Sequence, residues 1–240
     1  MIRFLQGAAA ALFLVLASFA PSKAMPVEVP QDVVFVFDGS GSLGQSGFGD
    51  VIAFMQGIVN DHSGDPLHPI RFGAILFSTG IQTIYNLTDD QTPSVITDLL
   101  DNVAYPAGQT HTRDALTAAL DLFDDQSDDI NPKTLLLITD GAPFPTLSQR
   151  VCHNGNMKNQ LDAAAVEVNI VGVGNDYNPA PVACLVDDEA SQIIELTDFS
   201  LTSVDFDRGY VENSMAMPAP GMVIIFAFGI AGIAAARRRA

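Results

Sequence analysis

Short apolar runs alternate with amphipathic stretches along the middle of this chain, and the spacing of the apolar residues sets the elements. Val33 to Phe37 is an unbroken β-branched and aromatic run, the pattern of a strand buried on both faces. Phe48, Val51, Ile52, Met55 and Val59 follow at helical spacing. Ile70 to Phe77 predicts a second strand and Gln82 to Tyr85 a short third one. Thr92-Pro93 opens a helix running to about Leu100, with Thr as cap and Pro in the first turn. Ala115, Leu116, Ala119, Leu120 and Phe123 mark the next helix, and Thr134 to Thr139 another buried strand. Leu161 to Val166 reads as helix, Val168 to Val173 as strand, and Ile193 to Leu196 as the last strand. Strands alternating with helices predict an α/β fold, a doubly wound and mostly parallel central sheet with helices on both faces.

The two ends follow a different pattern. Met1 to Ala24 reads as a signal peptide: Arg3 is the positive start, Gly7 to Ala20 the apolar run, and Ser22-Lys23-Ala24 a small-x-small cleavage site. Gly221 to Ala236 is a second apolar run, preceded by Met217-Pro218-Ala219-Pro220 and closed by Arg237, Arg238 and Arg239. The arginines would hold that end on the cytoplasmic side of a membrane. Export also governs the cysteines. Cys152 and Cys184 are the only two, and an even pair in an oxidising compartment is expected to form a disulfide. Between Met25 and Met217 lie six basic residues and all 28 acidic ones, a formal charge of −22. Such a surface repels phosphate backbones, which excludes nucleic acid as a natural partner.

Two motifs overlap in the loop after the first strand. Gly39, Gly41 and Gly44 spell a dinucleotide fingerprint, whereas Asp38, Ser40 and Ser42 spell Asp-x-Ser-x-Ser. A pyrophosphate here would sit against the Asp38 carboxylate with no basic residue nearby. Ser78 and Thr79 stand where an acidic residue should close the second strand. Nicotinamide cofactors are also not expected outside the cytoplasm. A hard divalent cation gains from the same facts, since it prefers oxygen ligands. Glycines between the ligands let the backbone bend around an ion. Three oxygens leave a six-coordinate shell incomplete, and Asp140, after the strand ending at Thr139, with the loop Ala107 to Thr112, offers the rest.

Taken together, Asp38-Gly39-Ser40-Gly41-Ser42, Gly108-Gln109-Thr110-His111-Thr112 and Leu137-Ile138-Thr139-Asp140-Gly141 resemble the von Willebrand factor A family over about Asp32 to Phe206. The resemblance implies a Rossmann-like fold and a metal-ion-dependent adhesion site (MIDAS). Its five positions fall on Asp38, Ser40, Ser42, Thr110 and Asp140, with Thr112 the rival for Thr110. It further implies that Ser40, Ser42 and Thr110 touch Mg²⁺, or Mn²⁺ or Ca²⁺, directly, and that Asp38 and Asp140 act through water. Neutral hydroxyls leave the ion electrophilic toward a partner's carboxylate, so an acidic protein could still grip an acidic partner. The tail resembles the PEP-CTERM sorting signal of Gram-negative bacteria, with Ala219 where Glu is commoner. A plain tail anchor is the alternative.

The expected organisation is a signal peptide at 1–24, a linker at 25–31, the von Willebrand factor A domain at 32–206, a linker at 207–217 and the sorting or membrane segment at 218–240. The expected function is an exported adhesion module that captures a protein or extracellular-matrix ligand through the cation, at the cell surface or in the matrix. The chain would be held at the membrane by its tail at least before processing. One alternative is a structural component of an envelope or exopolysaccharide matrix with a stabilising metal. A metal-dependent hydrolase is the other, although neither a Gly-x-Ser-x-Gly elbow nor a His-Glu-x-x-His helix occurs. No enzyme activity is expected. His111 reads as a rim residue, His62, His68 and His153 lack ligand spacing, and Asp124, Asp125, Asp128 and Asp129 read as a solvated acidic loop.

Overall fold

The computed structural model describes residues 30–62, 69–87, 92–141, 149–153, 156–174, 177–187 and 193–196. Six strands form one sheet: β1 (Gln31–Asp38), β2 (Ile70–Phe77), β3 (Ile81–Tyr85), β4 (Lys133–Thr139), β5 (Val166–Val173) and β6 (Ile193–Leu196). Their spatial order is β3-β2-β1-β4-β5-β6, with only the β2–β3 pair antiparallel. The sheet winds outward from β1 in one direction and from β4 in the other, so the chain changes direction between these two neighbours. In open α/β sheets that switch point, at the carboxyl ends of the strands, is where ligands bind.

Every residue of β1 is buried, and alternate residues serve opposite layers. Val33, Phe35 and Phe37 face α1 (Gly44–His62) and α2 (Pro93–Asp101), packing with Phe48, Met55, Ile58 and Leu100. Val34 and Val36 face α3 (Thr112–Gln126) and α4 (Asn156–Ala163), packing with Leu116, Phe123 and Leu161. This two-sided burial is why the strand reads as an unbroken apolar run.

The helix expected over Leu161 to Val166 is corrected. The helix spans Asn156–Ala163, and Val166 already belongs to β5, paired with Lys133. Ala165 has a positive φ of 54°, a left-handed turn that ends the helix and redirects the chain into the sheet. From there Val166, Val168 and Ile170 face one layer, and Val171 and Val173 the other.

One end of the sheet is held by a buried charge. Asp32 has no solvent exposure, and its carboxylate accepts from Arg71 Nε at 2.6 Å, Arg71 Nη2 at 2.7 Å and Asn131 Nδ2 at 3.0 Å. The Ser127 hydroxyl donates to the same carboxylate. With a guanidinium and two further donors, the buried ion is paired and hydrogen-bonded, as such groups must be. Asp38, at the other end of β1, has the same burial and a different environment.

Candidate metal centre

β1 delivers Asp38 to the switch point, and β4 delivers Asp140 one strand away. Asp38 is fully buried. Its Oδ1 accepts the Ser40 backbone N–H at 2.7 Å, and its Oδ2 accepts the Thr139 hydroxyl at 2.7 Å. Ser40 Oγ and Ser42 Oγ lie 3.0 Å apart, and Ser42 Oγ donates to Asp140 Oδ1 at 3.0 Å. Two loops separated by about a hundred residues thus place two carboxylates and two hydroxyls in one hydrogen-bonded cluster.

The third loop is laid against the first by main-chain contacts. Ser40 and Gly108 form an isolated parallel bridge, with Gly41 N–H donating to Gly108 O at 2.9 Å. Tyr105 donates its hydroxyl to the Ser40 carbonyl at 2.8 Å and tilts its ring against Phe48. Behind the loop, Gln109 N–H donates to Thr79 Oγ1 at 2.8 Å and His111 N–H to Ser78 O at 3.2 Å. A Cβ on Gly108 would stand 2.5 Å from Thr79 Oγ1, so this close approach requires glycine.

Thr110 is half-buried on that loop, and its hydroxyl makes no hydrogen bond among the described residues. Thr112, the rival position, is fully buried in the first turn of α3, and its Oγ1 has no partner among the described residues. Asp38, Ser40, Ser42 and Asp140 are therefore joined directly. The loop carrying both threonines is joined to them through its backbone. Two residues of the assembly went unassigned in the sequence, Thr139 and Tyr105. Thr139 also accepts the Gly141 N–H at 3.3 Å, so one hydroxyl ties Asp38 to the turn that carries Asp140.

The electrostatics suit a cation. Burial pushes the Asp38 carboxyl up to about 6, against the opposing pull of its hydrogen bonds with Thr139 and Ser40, and the charge of Asp140 adds to the rise. Burial likewise raises Asp140, against the Ser42 hydrogen bond. Where Asp32 has Arg71, neither Asp38 nor Asp140 has a basic partner among the described residues. Among those residues no three His, Cys, Asp or Glu side chains cluster as a ligand set, so the donors here are hydroxyls and two carboxylates. An all-oxygen set of this kind fits a hard divalent ion. The acidic residues Asp124, Asp125, Asp128 and Asp129 are all exposed, but the expected loop holds only for Asp128 and Asp129: Asp124 and Asp125 belong to the last turn of α3. Cys152 and Cys184 are disulfide-bonded, with Cα atoms 5.6 Å apart.

Residues 32–207 match the family model for the von Willebrand factor type A domain. Among curated proteins, the chain is similar to the collagen alpha-6(VI) chain of Mus musculus, 27% identical over 197 residues that cover 80% of this chain and 8% of that one. It is also similar to the collagen alpha-1(XX) chain of Mus musculus, 30% identical over 115 residues (47% of this chain, 9% of that one). Cochlin of Bos taurus is 26% identical over 114 residues (47% and 20%). The matched region thus spans a fifth or less of these relatives' own length. Among solved structures, proximal thread matrix protein 1 from the mussel byssus, with a zinc-occupied MIDAS motif, superposes with a TM-score of 0.64 at 19% identity. That match covers 75% of this chain and 47% of that one. A von Willebrand factor type A structure from Catenulispora acidiphila gives 0.61 at 16% identity, covering 75% and 41%. At such identities the likeness concerns the fold, a six-stranded, mostly parallel sheet covered on both faces. With the family match running through every strand of that sheet, this chain belongs to the von Willebrand factor type A domain family.

Proposed function

We propose that the chain is an exported binding module in which Asp38, Ser40, Ser42, Thr110 and Asp140 hold a divalent cation that captures a protein or extracellular-matrix ligand. The observation that carries this is the hydrogen-bonded cluster of Ser40, Ser42 and Asp140 beside a buried Asp38 with no basic partner among the described residues, at the switch point of the sheet. Mg²⁺ suits the oxygen donors, with Mn²⁺ or Ca²⁺ as substitutes. Once bound, the ion supplies an electrophilic centre open to an acidic side chain of the partner. Ser40 and Ser42 contribute neutral oxygens, and Thr139 and the Ser40 N–H fix the orientation of Asp38. Tyr105 and the Ser40–Gly108 bridge hold the loops in register. His111 has its ring nitrogens 3.2 Å from Gln109 Oε1 and 3.7 Å from Asp114 Oδ2, at the rim of the site.

The site of action would be the cell surface or matrix of a Gram-negative bacterium. The chain would be delivered by the signal peptide at 1–24 and held, at least before processing, by the segment at 218–240. Both segments lie outside the described residues. Among those residues, no helix is long and apolar enough to cross a membrane.

The double variant Ser40→Ala with Ser42→Ala tests the site. Both residues lie in a loop where a lost hydroxyl opens no apolar cavity, so the fold should survive while Mg²⁺ binding disappears. Calorimetry giving the wild-type affinity would remove the assignment. A structural role in a matrix is the second reading, favoured by relatives named as collagens and a thread matrix protein. Loss of the fold in EDTA would select it. Loss of partner affinity with the fold intact would select adhesion.

A further inference from the structure

The five basic side chains among the described residues divide sharply by their surroundings. Arg71 is buried against Asp32, and Lys158 pairs with Asp162 at 2.5 Å and Asp187 at 3.0 Å. Lys133 begins β4, at the end of the sheet away from the candidate metal centre. The remaining two, Arg113 and Arg150, meet at the end that carries the site. Arg113 lies in the first turn of α3, three residues after Thr110, and its Nη1 donates to the Arg150 backbone carbonyl at 3.2 Å. Arg150 is exposed, Arg113 is half-buried, and no carboxylate among the described residues pairs with either.

This placement runs against local preference twice. A cation in the first turn of a helix opposes the macrodipole, which favours anions there. The chain holds 28 acidic residues, yet among the described residues no carboxylate pairs with Arg113 or with Arg150, whose backbone carbonyl Arg113 contacts. The acid within reach, Asp114, is engaged elsewhere: its Oδ2 accepts from Gln149 Nε2 at 2.7 Å and faces His111 Nδ1 at 3.7 Å. That contact also fixes the backbone from which Arg150 projects, because Gln149 is its neighbour and is buried. Local conflicts of this kind gather at functional sites. A guanidinium is suited to a carboxylate, which it can grip with two parallel hydrogen bonds.

We propose that Arg113 and Arg150 form a second anchoring point beside the cation, so that the ligand recognised is an acidic segment bearing two carboxylates, one for the ion and one for the arginines. The proposal rests on the cation-dependent reading above and adds the specificity of that same face. Electrostatic complementarity here would also draw an acidic ligand toward two basic side chains on a chain of net negative charge.

The test uses the whole chain loaded with Mn²⁺ and two series of blocked peptides. One series is Asp-(Gly)n-Asp, with n from about one to four, and the other is its Asp-(Gly)n-Asn counterpart. At the best spacing, the two-carboxylate peptide should bind about tenfold more tightly than its partner, well beyond the factor of about two that comes from having two equivalent ends. In the double variant Arg113→Gln with Arg150→Gln that advantage should fall to about twofold. Mn²⁺ affinity measured without peptide should not change, and the Arg113→Lys variant should recover part of the advantage. The same tenfold preference in the double variant, or no preference in the wild type while the single-carboxylate peptide still binds with Mn²⁺, would overturn the proposal and leave the cation reading standing. Peptide binding that is indifferent to EDTA would overturn both.

Discussion

At the residue scale, Asp32 and Asp38 frame the whole case, because one strand carries both and buries both completely. Asp32 is neutralised from within by Arg71, whereas Asp38 has only neutral donors, and burial holds its carboxyl at about 6, above its ordinary 3.8. A carboxyl raised on folding binds its proton more tightly in the folded state. Its contribution to the stability of the metal-free protein is therefore complete below pH 4 and lost as pH rises through 6. A cation must displace that proton. Mg²⁺ affinity should accordingly be flat above about pH 7 and weaker by about tenfold at pH 5, with Mg²⁺ raising the melting temperature more at pH 7.5 than at pH 5. Calorimetry and thermal melts at the two pH values check this, and equal affinities would mean that Asp38 does not couple to the ion. The motif residues were legible because Asp38, Ser40 and Ser42 are neighbours in sequence and Asp140 repeats the strand-end Asp-Gly of Asp38-Gly39. Thr139 was not assigned a role because its partner, Asp38, lies 101 positions away. Tyr105 acts through a main-chain carbonyl that no side-chain pattern announces.

At the scale of elements, the third loop depends on a contact that only glycine allows. In Gly108→Ala the new methyl would meet the Thr79 side chain at 2.5 Å and its backbone nitrogen at 2.7 Å, and the backbone cannot yield as a flexible tip would. The loop should shift, weakening the Ser40–Gly108 bridge. Mg²⁺ affinity should fall at least about fivefold while the sheet's circular dichroism persists; an unchanged affinity would show that the loop does not position the site. The disulfide is a second element-level device, closing 32 residues between the segment before α4 and the 3₁₀ turn at Ala183–Leu185. Chain entropy values such a closure at ~3–4 kcal/mol, so Cys152→Ser with Cys184→Ser should lower the chemical-denaturation stability by up to that amount. A variant as stable as the wild type would show the bridge to be dispensable. The strands were readable because burial on both faces leaves an unmistakable run of apolar residues. The helix before β5 was misplaced because Ala163, Ala164 and Ala165 look equally helical, whereas the left-handed turn at Ala165 is a tertiary outcome.

At the scale of the molecule, the proposed export and sorting of the chain turn on the fate of its tail. The apolar run of 16 residues from Gly221 to Ala236 lies outside the described residues; as a helix it would reach only about 24 Å, against a bilayer core of ~30 Å. A weak span suits a temporary hold during processing. If the tail is a sorting signal, intact mass measured on protein from a host with its own sorting machinery should give a species ending near Pro218 to Pro220. A species retaining Arg237 to Arg239 would instead mean a lasting tail anchor. β1 has one further consequence for a module that grips a ligand at one end. It enters at Gln31 and delivers Asp38, and it is flanked along its length by parallel β2 and β4. If a captured ligand pulls on the loop after Asp38 while the chain is restrained ahead of Gln31, the tension runs along the axis of this one strand. The evenly spaced ladders on both sides then resist in shear, sharing the load across many hydrogen bonds instead of opening one at a time. The strand that delivers Asp38 to the candidate site is also a cable braced on both sides.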